Sequence, residues 1–378
     1  MPASARTSYP AATRVVAKIG SATLMGPDGR IDEEFLGSVA DQVAALRADG
    51  CDVVVVTSGA IAAALAPLGL GARPADVPTL QACAAVGQVR LADAYARVFA
   101  ARGLSVGQVL LTRNDTGDRT AYLNARQTLA RLLELGVVPV VNENDTVAVD
   151  EIRFGDNDSL AAIVGPLAGA DLVVLMSDID GLYTADPHLD PAAQLIEVVD
   201  GVDEGVMALA GDSASGVGTG GMRTKVRAGR AMQQAGIPLV VCLGRGERTL
   251  ERAARGEAVG TRFVCDAAAP HEGARKLWIG YAGHDAGSVT VDDGARDALH
   301  ARGGSLLPVG VVAVEGRFDR GDIVAVYDRQ GTLVARGVAG YTSDEARLTM
   351  GMRLDMVARV VPALAGVPLV HRDELLVF

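Results

Sequence analysis

Lysine is almost missing from this chain. Its 35 basic residues include only three lysines, Lys18, Lys225 and Lys276, and the rest are arginines. Arginine therefore fills the generic cationic roles. The surviving lysines mark places where a compact ammonium is the better fit. Cysteine is also sparse: Cys51, Cys83, Cys242 and Cys265 lie far apart, with no CxxC pair and no His/Cys cluster. That spacing excludes a disulfide framework and a zinc-ribbon site, and it fits a reducing cytoplasm. No run of 18 apolar residues occurs, and Met1 to Ala12 contains no apolar leader core, so the chain reads as neither membrane-spanning nor secreted. Positive charge is short overall. A net charge of −11 argues against nonspecific binding to nucleic acid or to an anionic membrane.

What is present is small and apolar. Hydrophobic residues make up 49% of the 378, aromatics only 4%, and Ala, Val, Leu and Gly dominate. That mix suits buried parallel strands alternating with helices, and the length favours two domains. Arg14 to Lys18 reads as a short strand running into Gly20-Ser21. Asp32 to Asp49 carries apolar residues at helical spacing and stops at Gly50. Asp52 to Thr57 is a buried strand, followed by Ser58-Gly59-Ala60 and an Ala-rich helix. The same rhythm returns at Val137 to Val141, Leu172 to Met176 and Leu239 to Leu243. The expected fold is α/β: a three-layer αβα sandwich with a mostly parallel sheet, and ligands gathered beyond the carboxyl ends of the strands. Near residue 265 the texture changes to short β-like runs with Gly turns. We therefore expect a flexible N-terminal tail over 1–12, an α/β domain over 13–264, a linker over 265–284 and a small β-rich domain over 285–378.

Three groups of residues carry chemistry. Lys18, at a strand end before Ile19-Gly20-Ser21, pairs a cation with a glycine turn that lets backbone N–H groups approach an anion. Gly216 to Lys225 is the richest glycine segment and leads into a helix. It contains a literal G-x-G-x-x-G, but no strand precedes it, so it is not a dinucleotide fingerprint. No lysine directly follows its glycines, so it is not a Walker A loop either. A glycine loop at a helix N-terminus, with Lys225 one turn in, suits phosphate. Asn142 to Asp145 and Gly155 to Asp158 both follow the strand ending at Val141 and are almost wholly Asn, Asp or Glu. Singly, each is an ordinary turn or N-cap; together they suit an α-amino group at Asp145 and oriented cations at Asp158. Ser177-Asp178 follows the next strand.

Taken together these segments resemble the amino-acid kinase superfamily, and within it the glutamate 5-kinase family. The resemblance rests on Val56 to Ala62, Leu111-Thr112-Arg113, Leu123 to Arg126, Val141 to Asp145, Gly155 to Asp158, Gly181 to Pro187 and Gly211 to Lys225. The C-terminal part, with Gly304 to Pro308 and Phe318 to Asp322, resembles a PUA domain. The resemblance implies ATP with Mg²⁺ and phosphorylation of the γ-carboxylate of L-glutamate, the first step of proline biosynthesis. It places Lys18 and Lys225 on the ATP phosphates with Asp158 organising them. Ser58, Asp145 and Asn157 would surround glutamate. Lys18, Ser177, Asp178, Thr219, Gly220, Gly221, Met222, Arg223, Thr224 and Lys225 would line the nucleotide site. Feedback inhibition by L-proline, homo-oligomers and hand-over to glutamyl-phosphate reductase are further implications; metal ligands are left open. Ser21-Ala22 and Ser177 depart mildly from the family's usual residues. Two rival readings remain: a kinase of another acid, such as N-acetylglutamate, and an RNA-binding protein acting through the C-terminal part. Charge opposes the latter, since residues 284–378 hold ten arginines and no lysine against thirteen acidic residues.

Overall fold

Uninterrupted Val-rich runs are strands buried on both faces, and five of them build the centre of one sheet. In a computed structural model, which describes residues 8–112, 119–147, 157–187, 189–211, 221–265, 272–281 and 285–378, the strands of the first unit are β1 (Arg14–Ile19), β2 (Asp52–Val56), β3 (Val106–Leu111), β4 (Val138–Glu143), β5 (Leu172–Ser177), β6 (Val198–Val199), β7 (Leu239–Leu243) and β8 (Thr261–Phe263). They lie in the order β3-β4-β2-β1-β5-β7-β8-β6. All neighbours pair in parallel except β7 with β8. The carboxyl ends of β1, β2, β4, β5 and β7 therefore emerge along one edge.

Helices cover both faces. In chain order they are α1 (Ser21–Leu24), α2 (Glu33–Ala48), α3 (Ala60–Leu65), α4 (Val77–Ala100), α5 (Arg119–Glu134), α6 (Asn157–Ala168), α7 (Glu204–Leu209), α8 (Met222–Ala235) and α9 (Thr249–Ala254). Asp32 caps α2 by accepting from Phe35 N, and Asp76 caps α4 by accepting from Thr79 N. One core joins the sheet to α2, α4 and α9: Val15, Ala17 and Ile19 of β1 pack there with Leu36, Val39, Leu91 and Tyr95. Because side chains alternate along a strand, Val16 and Lys18 face the opposite layer, that of α6 and α8.

Two glycines set the local geometry beside β2. Gly59 takes φ +99°, which a side chain would strain, and so turns the chain from β2 into α3. Gly87 lies where α4 crosses α3; a Cβ there would fall 1.6 Å from the Ala60 carbonyl oxygen.

The expected tail is shorter than composition implied. Residues 8–12 run along the end of α9, with Tyr9 N donating to Gly256 O and Ala12 N to Ala254 O. Backbone hydrogen bonds of this kind leave no signature in residue type.

The chain divides into Met1–His271 and Glu272–Phe378. The second unit holds a sheet ordered β10-β9-β11-β12-β13, built from β9 (Gly287–Val291), β10 (Val311–Gly316), β11 (Ile323–Tyr327), β12 (Leu333–Ala339) and β13 (Val370–Val377). Val289, Val291, Val324, Val326, Tyr341 and Leu369 form its core. Residues expected to be linker contribute α10 (Ala274–Tyr281), which packs on β12 and β13. Three more helices, α11 (Asp293–Arg302), α12 (Ser343–Thr349) and α13 (Leu354–Val360), make the unit more helical than its short β-like runs predicted.

Candidate active site

The strand ends and two helix starts converge on one buried carboxylate. Lys18 comes from the end of β1, Asp158 from the first turn of α6, and Lys225 from the first turn of α8. Lys18 Nζ lies 2.6 Å from Asp158 Oδ1, and Lys225 Nζ lies 3.1 Å from Oδ2. Thr224 Oγ1 also donates to Oδ2, at 2.7 Å. Relative exposure is 6% for Lys18, 5% for Lys225 and zero for Asp158, so these are charges held out of water. Burial is the largest influence on Asp158 and pushes its pKa up. The two ammonium groups and the hydrogen bonds from Lys18 and Thr224 outweigh it and hold the carboxyl below the ordinary carboxylate range. Asp158 is therefore an anion at neutral pH. Two lysines facing one carboxylate leave a net positive charge of about one, at an edge where the N-termini of α6 and α8 add their positive dipole ends. Such a place attracts an anion.

The glycine turn after β1 borders this place. Gly20 takes φ −72°, a conformation open to any residue, so the turn itself does not demand glycine. What glycine supplies is space: a Cβ would sit 3.7 Å from Lys18 Nζ and 3.8 Å from Thr23 Oγ1. Gly221 is the N-cap of α8, and Met222, Arg223, Thr224 and Lys225 form its first turn. Thr219 and Gly220, with most of the preceding glycine segment, lie outside the described residues. Ser177 is buried at the end of β5 and donates to Asp178 Oδ1 at 2.9 Å, while Asp178 is exposed.

A second group of polar residues adjoins the first. Asn157 donates from Nδ2 both to Thr57 O and, at 2.9 Å, to Asn142 Oδ1. Asn142 in turn donates to Gln88 Oε1 of α4 at 2.8 Å. Tyr95, also on α4, donates to Thr57 Oγ1 at 2.9 Å. Asn142 and Glu143 belong to β4 itself, which runs two residues further than the sequence pattern indicated. Strand alternation puts Asn142 on the side of α4, with Val138 and Val140. This relay fixes the carbonyl just before Ser58. Ser58 and Asp145 follow β2 and β4, which are neighbours, and both are partly exposed. Gln88 and Tyr95 of α4 had no local signal and acquire a role only through contacts distant in sequence, whereas Thr57 lies in the stretch Val56 to Ala62 that carried the resemblance. Gly155 and Asp156 fall outside the described residues.

Among the described residues no group of three or more His, Cys, Asp or Glu side chains is placed to hold a metal ion. None of the described helices is long and apolar enough to cross a membrane.

Comparison with known proteins places this arrangement. The model of the amino acid kinase family matches residues 13–242, and that of the PUA domain matches residues 287–361. The chain is 48% identical over 362 residues to a protein of Geobacter sp. (strain M21) named glutamate 5-kinase, covering 96% of each chain. A protein of the same name from Citrifermentans bemidjiense is also 48% identical, over 362 residues. Another from Bordetella pertussis is 46% identical over 367 residues, 97% of each chain. With its first unit matched by the family model and its relatives aligned over nearly their whole length, the chain belongs to the amino acid kinase family, in the group of its glutamate 5-kinases.

Proposed function

We infer that this chain transfers the γ-phosphoryl group of ATP to the side-chain carboxylate of L-glutamate, giving L-glutamyl 5-phosphate, the first step of proline biosynthesis. The observation that carries the reading is the Lys18–Asp158–Lys225 cluster at the carboxyl edge of the sheet. A carboxylate is already ionised at pH 7, so its attack on phosphorus needs no general base. A glutamate oxygen forms the new O–P bond, the bond to the β–γ bridging oxygen breaks, and ADP leaves with that electron pair. The obstacle is one anion approaching another. Neutralisation and alignment are therefore what the site has to supply.

In this reading Lys18 and Lys225 take the transferring phosphoryl group, and Asp158 fixes where their ammonium groups point. The start of α8 receives the nucleotide phosphates at the positive end of its helix dipole. Ser58, Asp145 and Asn157 hold glutamate, with Asp145 facing the α-ammonium. Mg²⁺ arrives as part of the nucleotide substrate, carried mainly on its phosphates. L-Proline shares the α-amino acid head group and competes for the same residues. Inhibition that saturating glutamate fails to relieve would place proline elsewhere.

The test is ADP release by the purified chain with L-glutamate, N-acetyl-L-glutamate and L-aspartate, each with hydroxylamine to trap an acyl phosphate. Glutamate should give ADP and hydroxamate together while the others stay near background. Preference for N-acetylglutamate would overturn the reading.

A further inference from the structure

Three strands along the sheet from β1, β8 carries a buried cation. Thr261 and Phe263 face α8: the Phe263 ring packs on Gly229, and Thr261 Oγ1 accepts from Leu182 N. Alternation sends Arg262 to the other face, where only 6% of it reaches solvent. Its guanidinium lies 4.0 Å from the centroid of the Tyr9 ring, under the N-terminal segment held to Gly256 and Ala254. Nε and Nη1 are buried and have no hydrogen-bond partner among the described residues. Burial pulls the pKa of this group down, yet an arginine stays charged. Buried donors are normally satisfied, and the Tyr9 ring face leaves these two nitrogens without a hydrogen bond among the described residues.

Beside this guanidinium lies a cavity of about 90 Å³, lined also by Leu195, Val198, Val259, Glu197 and Glu257. That volume holds several water-sized groups. Glu257 is engaged elsewhere, accepting from Arg252 Nε at 2.7 Å. Two glutamates in the lining disfavour a multiply charged anion, while Leu195, Val198 and Val259 suit a short apolar body. We propose that this cavity binds a small monocarboxylate, its oxygens accepting from the Arg262 guanidinium and its carbon chain lying against Leu195, Val198 and Val259. Tyr9 closes the site, so the ligand also pins residues 8–12 to the domain. The site is separate from the kinase residues, and its occupancy does not depend on that reading.

Thermal unfolding of the full chain in sodium acetate, propionate, chloride or phosphate at matched ionic strength tests this. Acetate and propionate should raise the Tm saturably and chloride should not; any phosphate shift belongs to the lysine cluster and should be unchanged in Arg262→Met. Arg262→Met should weaken the carboxylate effect roughly tenfold or more, as expected when a charged hydrogen-bond donor is lost. Lys18→Met should retain it. Val198→Phe fills the cavity with the charge intact and should abolish it, which keeps the test decisive if Arg262→Met fails to fold. The proposal is overturned by the absence of a carboxylate shift beyond that of chloride, by a phosphate shift that Arg262→Met weakens as much as it weakens the acetate shift, by a carboxylate shift that survives Val198→Phe, or by one that vanishes in Lys18→Met.

Discussion

Lys18 and Asp158 form an ion pair of 2.6 Å in which neither side chain has more than 8% of its surface in water. Desolvated pairs of this kind add little net stability compared with apolar packing, but breaking one is costly. On the proposed reading this pair, with Lys225 on the second carboxylate oxygen, holds charges in place for an incoming anion.

Exchanging either lysine for arginine keeps the charge and loses the shape. A guanidinium is wider and planar, and Asp158 is already filled by two ammonium groups and Thr224. Lys18→Arg and Lys225→Arg should each lower kcat by about 10²–10³-fold, the usual effect of removing one charge-stabilising donor. Apparent glutamate affinity should change far less. Steady-state kinetics with near-normal turnover in both variants would end the assignment.

Asp158→Asn leaves two buried lysines without their anion and should destabilise the chain by about 3–5 kcal/mol. The pH dependence has a definite sign. The folded pKa of Asp158 lies below the ordinary 3.8, so its contribution is fully present above that value and is lost as pH falls through the folded pKa. Urea unfolding of both proteins should show a constant difference at neutral pH that shrinks only in strong acid. A difference that shrinks between pH 5 and 8 would assign the effect to another group.

Glutamate recognition separates from chemistry at the other polar group. Asp145→Ala should raise the glutamate KM strongly and leave nucleotide binding nearly intact, because the α-ammonium loses its charged partner. Gln88→Ala removes only the acceptor that steadies Asn142. It should raise the glutamate KM by roughly 3–10-fold, the range for one net hydrogen bond. An unchanged KM in Gln88→Ala would show that the relay is structural only.

Every candidate site residue precedes the second unit, which begins at Glu272. A chain ending at residue 268 should therefore still phosphorylate glutamate, with altered stability or proline sensitivity. The isolated second unit should not bind RNA tightly, since its charge is negative and it offers few stacking aromatics. Loss of activity in a folded truncation would contradict the first expectation, and submicromolar, salt-sensitive RNA binding the second.

Much of this was legible in the residues. Buried Val-rich runs identified the central strands, Asp32 and Gly50 bracketed α2, and lysine rarity pointed to Lys18 and Lys225. These signals are local: a strand, a cap or a rare cation is written in a few consecutive residues. Tertiary structure decided the rest. The family resemblance already grouped Asp158 with the two lysines; the tertiary structure set their 2.6 and 3.1 Å contacts, joined Asn157 to Asn142 and Gln88, and tied residues 8–12 to the end of α9. It moved Ala274–Tyr281 from expected linker into the second unit and buried Arg262 under Tyr9. None of these is visible along the chain, because hydrogen bonds and burial depend on which segments meet in space. A glutamine or arginine within an apolar stretch has the same local sequence whether it faces solvent or a neighbouring strand.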